Sequence, residues 1–548
     1  MDPTAAPAKS SADSSTPAWD YIVVGGGTAG CCLAARLSED PATRVLLVEA
    51  GPRDTAREIH LPPGFVKLFR TELDWAYDTA PQTALGHRRL FWPRGRVLGG
   101  SSSLNAQLYV RGHRRDYDRW AAAGADGWSY ADVLPYFKRS EDQGGALAGD
   151  AEYHGIGGLQ RIEDRRYVNP LTTRFLAACA ELGIEPTPDF NGQRQEGSGL
   201  FQVAQRRGAR CSSATAYLGP ARRRRNLEIL TDAVARRLLL AEDDDGRLAA
   251  HGVEVVVDGD RRQLRARREV ILAAGAIGSP HLLQLSGIGP AAVLRAAEIP
   301  VRHALRGVGE NLQDHLMVST VYRTRHDLGL DHVETLWNLL HYLLRRRGPF
   351  TTTVCEAGAF VRTASDRPQP DLQLHFLPAA LIDHGFDSAT DHGFNIAPTL
   401  LKPASRGSLR VTSSDPYAPP HIDPSYLASD DDLELLVRGV ELARRLARSK
   451  AFADELDHEV LPGPGAGDRD EIASFIAETA ATIYHPVGTC AMGVSPEAGA
   501  VVDPRLRVHG VRGLRVADAS IMPEIPGGNT NAPTLMIAEK AADLIRGI

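Results

Sequence analysis

Residues 20–51 read DYIVVGGGTAGCCLAARLSEDPATRVLLVEAG, and the order of features in this stretch decides the fold. Residues 21–24 are a short apolar run of strand composition, followed by glycines at positions 25, 27 and 30. Small and apolar residues continue to Leu37, and residues 45–48 form a second apolar run closed by Glu49. Strand, glycine turn, helix and strand in that order specify a dinucleotide-binding βαβ unit. Gly25 permits the tight turn, Gly27 lets backbone approach a pyrophosphate, and Gly30 lets helix and strand pack closely. Thr28 and Ala29 open the helix, whose N-terminus faces the negative charge. Glu49 stands 19 residues beyond Gly30, where a carboxylate accepts hydrogen bonds from a ribose diol, with Ala50 beside it. A glycine-rich surface turn would not explain the second strand and its terminal acid. NAD and FAD present the same ADP half to such a turn, so the motif leaves that choice open.

The surrounding chain has 548 residues, too many for one core, so two or three domains of a large soluble enzyme are expected. A hydrophobic content of 43%, a charged content of 24% and a net charge of -6 give no support to a nucleic-acid partner. The arginine runs 222–225 and 345–347 read as solvated helix ends rather than a polyanion site. The cysteines, Cys31, Cys32, Cys179, Cys211, Cys355 and Cys490, show no zinc-ligand spacing, as expected of reduced thiols in a cytoplasmic protein with no metal. Residues 1–18 are polar and rich in Pro, Ala and Ser, so a disordered leader is expected rather than a secretory signal. No run of 18 apolar residues occurs, which excludes a membrane-spanning helix and leaves peripheral association open.

Three further segments bear on the ligand. Residues 92–112, WPRGRVLGGSSSLNAQLYVRG, carry Gly95, Gly99 and Gly100 before three serines, a loop that suits a planar ring or a phosphate. Residues 269–290, EVILAAGAIGSPHLLQLSGIGP, hold a strand at 270–272 that runs into Gly275, and Ser279-Pro280 opens an apolar helix stopping at Gly287. Residues 513–520, GLRVADAS, read as a strand ending at Asp518, an acid placed where open α/β sheets bind ligands.

Together with GVGENLQDH (307–315), KPASRGSLRV (402–411), YHPVGTCAMG (484–493) and DASIMPEIPGGNTNAPTLMIAEKAADLI (518–545), these segments give a clear resemblance. From about residue 20 to its end, the chain resembles the glucose-methanol-choline (GMC) oxidoreductase family. The resemblance implies an α/β fold, α+β overall, with a Rossmann-like FAD-binding domain assembled from the discontinuous segments 19–160, 200–313 and 500–548. It also implies a substrate domain of antiparallel sheet plus helices, built from 161–199 and 314–499. Besides the first glycine motif, the FAD contacts it implies are Trp75, Arg94, Gly99, Gly100, Asn105 and Ala106 in the front third of the chain. Ala235 and Gly275 follow in the middle, then Tyr484, Asp518, Ala519, Asn529 and Thr530 near the end. Some members hold FAD covalently through a histidine in the glycine-serine loop; Leu104 stands there in this chain, so non-covalent FAD is expected.

Members resembling this chain oxidise a primary or secondary alcohol by passing a hydride to flavin N5, and a base must take the hydroxyl proton as the C–H bond weakens. Imidazole suits that role near neutral pH. One histidine among eighteen is by itself more often structural, but the resemblance makes His485 the general base. The family's second catalytic position, histidine or asparagine, falls within GGNTNAPT (527–534); an ungapped reading puts it on Asn531 and leaves Asn529 to the flavin. Turn chemistry before the last helix is the plainer reading of both asparagines.

A different reaction class competes. Segments 152–171 and 343–361 are similar to algal fatty acid photodecarboxylases of the same family, with Cys355 on a cysteine those enzymes use. Where they hold a carboxylate with arginine this chain has His375, and they lack the imidazole of YHPVGT, so light-driven decarboxylation is the alternative. A non-catalytic flavin-binding protein is the third reading. The substrate pocket is expected to include Cys355, His375 and Phe376, near Phe350, Phe360, Leu377 and Phe394, most of which are expected to be core. An apolar lining points to an aliphatic or aromatic primary alcohol, with O2 or another electron acceptor as the second partner. Only Glu356 offers itself to a quaternary ammonium. Helices are expected within 333–347 and 432–450, the latter started by Ser429.

Overall fold

The computed structural model describes residues 18–548, so the leader expected at residues 1–18 lies, but for Ala18, outside the described residues. Strand β1 (Trp19–Val24) is buried along its whole length, and the chain enters helix α1 (Thr28–Leu37) through Gly25, whose φ of 103° favours glycine. A Cβ on Gly30 would lie 1.8 Å from the Gly25 carbonyl oxygen, so the helix rests directly on the turn. Strand β2 (Val45–Val48) follows where the apolar run places it.

The chain then alternates between two sheets. It places β3 (Gly197–Leu200) in the second and returns to the first with β4 (Leu227–Leu230), β5 (Ala233–Glu242), β6 (Leu248–Val257) and β7 (Asp260–Leu272). After helix α2 (Gly275–Leu285) it builds the second sheet from β8 (Leu316–Met317), β9 (Thr320–Thr324), β10 (Ala357–Val361), β11 (Leu372–Leu377) and β12 (Gly393–Leu400), with helix α3 (Leu336–Arg345) inserted after β9. Helix α4 (Asp430–Ala447), β13 (Leu456–Leu461) and β14 (Ala481–Thr482) complete it; β15 (Leu514–Val516) and helix α5 (Asn531–Arg546) return to the first.

The first sheet runs β4-β2-β1-β7-β6-β5, with β15 beside β7. Its β4, β2, β1, β7 and β15 are parallel, and Val24 stands level with Val48 on one side and Leu272 on the other, while Leu272 stands level with Val516. That register brings Gly25, Glu49, Gly275 and Asp518 to one carboxyl edge, where such sheets bind ligands. Strand β7 is longer than the expected 270–272: its first half pairs antiparallel with β6, and its second half runs parallel to β1. Helix α2 starts at Gly275 rather than at Ser279-Pro280: Ser279 lies in its second turn, where its hydroxyl donates to Asp518 at 2.5 Å and accepts from the Ala274 N–H at 3.1 Å.

The second sheet, β13-β9-β12-β11-β10-β3 with β8 joining β12 to β14, is antiparallel throughout. Helix α4 lies close against it: a Cβ on Gly439 would sit 2.6 Å from Pro398. Ser429 is the N-cap of α4, but its side chain makes no capping bond, and Asp432 in the first turn accepts instead from the Ala404 and Ser405 N–H groups. All six cysteines are buried and free. Among the described residues no helix is long and apolar enough to cross a membrane.

Candidate active site

A cavity of about 1200 Å³ lies between the carboxyl edge of the first sheet and one face of the second. Every position expected to contact FAD lines it except Gly30 and Gly99. Those two shape the loops behind it: Gly30 seats α1 on its turn, and Gly99, at φ 90°, has Ser103 Oγ 2.2 Å from where a Cβ would stand.

At the nucleotide end the two glycine loops abut, since a Cβ on Gly100 would come within 2.7 Å of Gly27 Cα. Glu49 accepts from the Gly26 N–H at 2.7 Å and the Gly51 N–H at 2.8 Å, and its burial pushes the carboxyl up to about 7. Asp518 accepts from Gly275 N–H (2.9 Å), Ser279 hydroxyl (2.5 Å) and the N–H and hydroxyl of Ser520 (2.8 and 2.6 Å), which braces the start of α2 against the end of β15. The Thr28 hydroxyl donates to Asn531 Oδ1 at 2.8 Å, fastening the first turn of α1 to that of α5. Trp75 lines the wall stacked on Tyr77, centroids 5.9 Å apart.

At the other end His485 and Asn529 meet, with the Asn529 amide nitrogen 3.2 Å from His485 Nε2. The sequence expectation for the two asparagines is therefore reversed: Asn529 stands on the imidazole, and Asn531, drawn into the first turn of α5, stands on Thr28. The buried Oδ1 of Asn529 has no partner and borders the cavity, as a group awaiting a donor from a bound molecule would. A glycine cradle at one end, an acid at the end of β2 and this half-satisfied amide at the other fit a bound FAD.

The family pattern described as GMC oxidoreductase matches residues 19–317 and again 403–538. An alcohol dehydrogenase (acceptor) from Pseudomonas putida is 43% identical over 535 residues, 96% of this chain and 95% of that one. The mitochondrial choline dehydrogenase of Homo sapiens is 42% identical over 541 residues, 96% of this chain and 90% of its own. Among solved structures, pyridoxine 4-oxidase from Mesorbium loti superposes with a TM-score of 0.88 at 35% identity, covering 97% of this chain and 99% of that one. The chain belongs to the GMC oxidoreductase family. It is a flavoprotein enzyme that binds FAD.

In this GMC oxidoreductase the base candidate is held by Asp314 and His315, to which sequence reading assigned no role, and its segment by Arg94 and Tyr484, expected there as flavin contacts. Asp314 Oδ1 accepts from the His485 N–H at 2.7 Å, while Oδ2 accepts from the Thr482 hydroxyl at 2.6 Å and from the Tyr426 hydroxyl. Arg94 donates to the Tyr484 carbonyl at 2.6 Å, and Tyr484 itself takes a φ of 72°, an uncommon conformation for a bulky residue. Next in line is His315. Its Nε2 lies 3.1 Å from the Leu401 carbonyl oxygen and its Nδ1 lies 2.9 Å from His485 Nδ1. A carbonyl only accepts, so His315 carries its proton on Nε2 and its Nδ1 accepts from His485 Nδ1–H. His485 Nε2 is left without a proton and accepts from the Asn529 amide.

Burial keeps these rings neutral: His315 is pushed down to about 3, and His485 well below the usual imidazole range, chiefly by burial with the Arg94 charge adding to it. Asp314 and His315 lie inside GVGENLQDH, but their partners are 86 to 171 residues away in sequence, which no local pattern displays. His384 was also missed; its Nδ1 lies 2.7 Å from the Tyr484 hydroxyl at the cavity wall.

The expected substrate pocket is corrected in part. Cys355, His375 and Leu377 line the cavity. Phe376 does not, because successive residues of β11 face opposite sides and it stacks on Phe175 at 4.7 Å in the core behind the sheet. Phe360 and Phe394 are likewise core. Glu356 is buried among donors, accepting from Asn169 N–H (2.7 Å), Thr172 (2.7 Å) and Thr352 (2.8 Å), away from the cavity lining.

Proposed function

We propose that this protein oxidises an apolar primary alcohol, aliphatic or aromatic, to the aldehyde, with His485 as the general base. The observation that carries the reading is the His315–His485–Asn529 chain, which leaves a neutral imidazole whose unprotonated Nε2 meets the Asn529 amide at the cavity wall, where a substrate hydroxyl can take that amide's place. Such a nitrogen takes the hydroxyl proton, and the Asn529 amide, donor only through its nitrogen, orients the substrate oxygen beside it. Flavin, when bound, supplies the acceptor that takes the hydride at N5. Leu104, buried in the cavity wall, offers no nucleophile to it, in keeping with non-covalent FAD.

Met317, Cys355, Leu377, Leu381 and Ile483 line the wall contributed by the second sheet and its loops, a surface that favours an alkyl or aryl group over a sugar. The engagement of Glu356 with three internal donors removes the one carboxylate considered for a quaternary ammonium. His375, pushed down to about 4 by burial, presents no fixed cation for a carboxylate, which disfavours the light-driven reading. The relative from Pseudomonas putida is named for an alcohol substrate, which supports the reading at the level of alcohol oxidation. Either O2 or another acceptor reoxidises the flavin.

Anaerobic mixing of the holoenzyme with hexanol, benzyl alcohol, hydroxymethylfurfural and choline tests the proposal. Bleaching of the oxidised flavin band in the dark, with hexanol and benzyl alcohol ahead of choline in kcat/KM, is expected. A preference for choline, or no bleaching without light, would overturn it.

A further inference from the structure

Helix α3 is built inside out. Leu336, Trp337, Leu340, Leu343 and Leu344 are 73%, 76%, 41%, 56% and 81% exposed, and the only buried residue of the helix is Tyr342. At 3.6 residues per turn those five side chains occupy an arc of about 120°, all of it facing solvent. A globular helix ordinarily turns such an arc inward. The other exposed large apolar residues, such as Ile156 and Val494, occur singly and need no explanation.

Positive charge adjoins this face. The helix ends at Arg345, and Arg345, Arg346 and Arg347 are all exposed. No acidic residue occurs between Glu334 and Glu356, and Glu334 is itself paired with Lys67 at 3.0 Å. The hairpin carrying exposed Arg206 and Arg207 abuts the same end, since a Cβ on Gly208 would lie 3.1 Å from the Arg346 carbonyl oxygen. Five arginines thus border an apolar stripe on a chain whose net charge is -6.

We infer that α3 docks this enzyme on an anionic lipid surface, its leucines and Trp337 entering the interface and its arginines meeting the headgroups. Tryptophan and leucine on one face with arginine alongside is the composition of helices that lie in a membrane interface. A second copy of the chain fits less well: a ten-residue helix is about 15 Å long and about 10 Å across, far short of the roughly 800 Å² per partner of a stable interface. A bilayer sets no such minimum area.

The docked face lies beside the cavity. Glu334, just before α3, pairs with Lys67 of the turn Pro62–Leu68, whose Phe65 and Val66 line the cavity. After α3 the chain passes through Pro349–Thr351 into residues 353–355, which line it as well. Docking therefore puts the cavity next to lipid, where an apolar alcohol concentrates; this last consequence rests on the substrate reading above, whereas docking itself does not.

Co-sedimentation of the FAD-loaded full chain with vesicles tests the inference. Phosphatidylcholine vesicles are compared with vesicles containing about one third phosphatidylglycerol, at low and high salt. Binding to the anionic vesicles, weakened by salt, is expected. Exchanging Arg345, Arg346 and Arg347 for Gln should lower it on the order of a hundredfold. Trp337→Asp with Leu344→Asp should abolish it, while both variants keep their flavin absorbance and their dark oxidation of a soluble alcohol. Wild-type protein left in the supernatant with every vesicle would overturn docking, as would variants that bind like wild type. A concentration-dependent dimer lost in Trp337→Asp, without vesicle binding, would assign the face to a second copy instead.

Discussion

The carbonyl oxygen of Leu401 can only accept, and that restriction passes through His315 to decide which nitrogen of His485 is unprotonated. If Nε2 is the working atom, His485→Ala should slow flavin reduction roughly 10²-fold or more in stopped-flow mixing, the scale of a lost general base. His315→Ala should cost less, since it touches no substrate, but it should move the pH profile. A base works only when unprotonated, so kcat/KM falls as pH drops through its pKa. In its neutral form His315 accepts from His485 Nδ1–H, a bond that favours the imidazolium; without it, the acid limb should shift further down. An unmoved limb would make His315 merely structural. The asparagines separate by the same logic: Asn529→Ala should lower kcat, and Asn531→Ala should loosen FAD through its bond to Thr28.

Single residues are aimed by the segments that carry them, and the segment Thr482 to His485 is held by one buried carboxylate. Asp314 satisfies the His485 N–H, the Thr482 hydroxyl and the Tyr426 hydroxyl at once, so Asp314→Ala strands three donors. A cost of about 1–3 kcal/mol for each buried group left unpaired predicts a clear fall in Tm by calorimetry, together with a loss of kcat as the imidazole wanders. In the β1–α1 turn, Gly25→Ala places a methyl 2.6 Å from the Ala273 carbonyl oxygen at a φ of 103°, and the purified variant should come off the column depleted in FAD. That turn was legible in sequence because its whole logic lies within residues 20–51. The role of Asp314 was not, because its donors arrive from β14 and from residue 426, brought close only by the second sheet. Phe376 shows a different limit: an aromatic beside a pocket residue looks like a pocket residue until the pleat of β11 sends neighbours to opposite faces.

Across the whole molecule, the two sheets bury their facing surfaces around a cavity lined by titratable groups, and this gives the protein a definite response to acid. Sequence located the cavity's nucleotide half through its glycines, but which histidines would be sealed in could not be known before the sheets were assembled. His281, His315 and His375 are pushed down to about 4, 3 and 4, and His485 lies well below the usual range, all by burial. In the unfolded chain each returns to about 6.5 and takes up a proton the folded protein refuses, so below that pH stability is lost as pH falls. Glu49 and Asp314 oppose this, because burial raises them to about 7 and about 6 in the fold. They hold protons the unfolded chain has released, so their contribution is present at low pH and is lost as pH rises through those values. Among the groups shifted furthest, four imidazoles stand against two carboxyls, so the unfolded state takes up more protons than the fold between pH 5 and 6 and the free energy of unfolding slopes down toward acid. Urea unfolding of the holoenzyme should therefore show a lower midpoint at pH 5 than at pH 6. His281→Leu, which removes one imidazole whose Nε2 has no partner, should reduce that slope by about 1.4 kcal/mol per pH unit. Midpoints that coincide at the two pH values would mean that water or the bound flavin reaches these rings and lets them keep their protons in the fold.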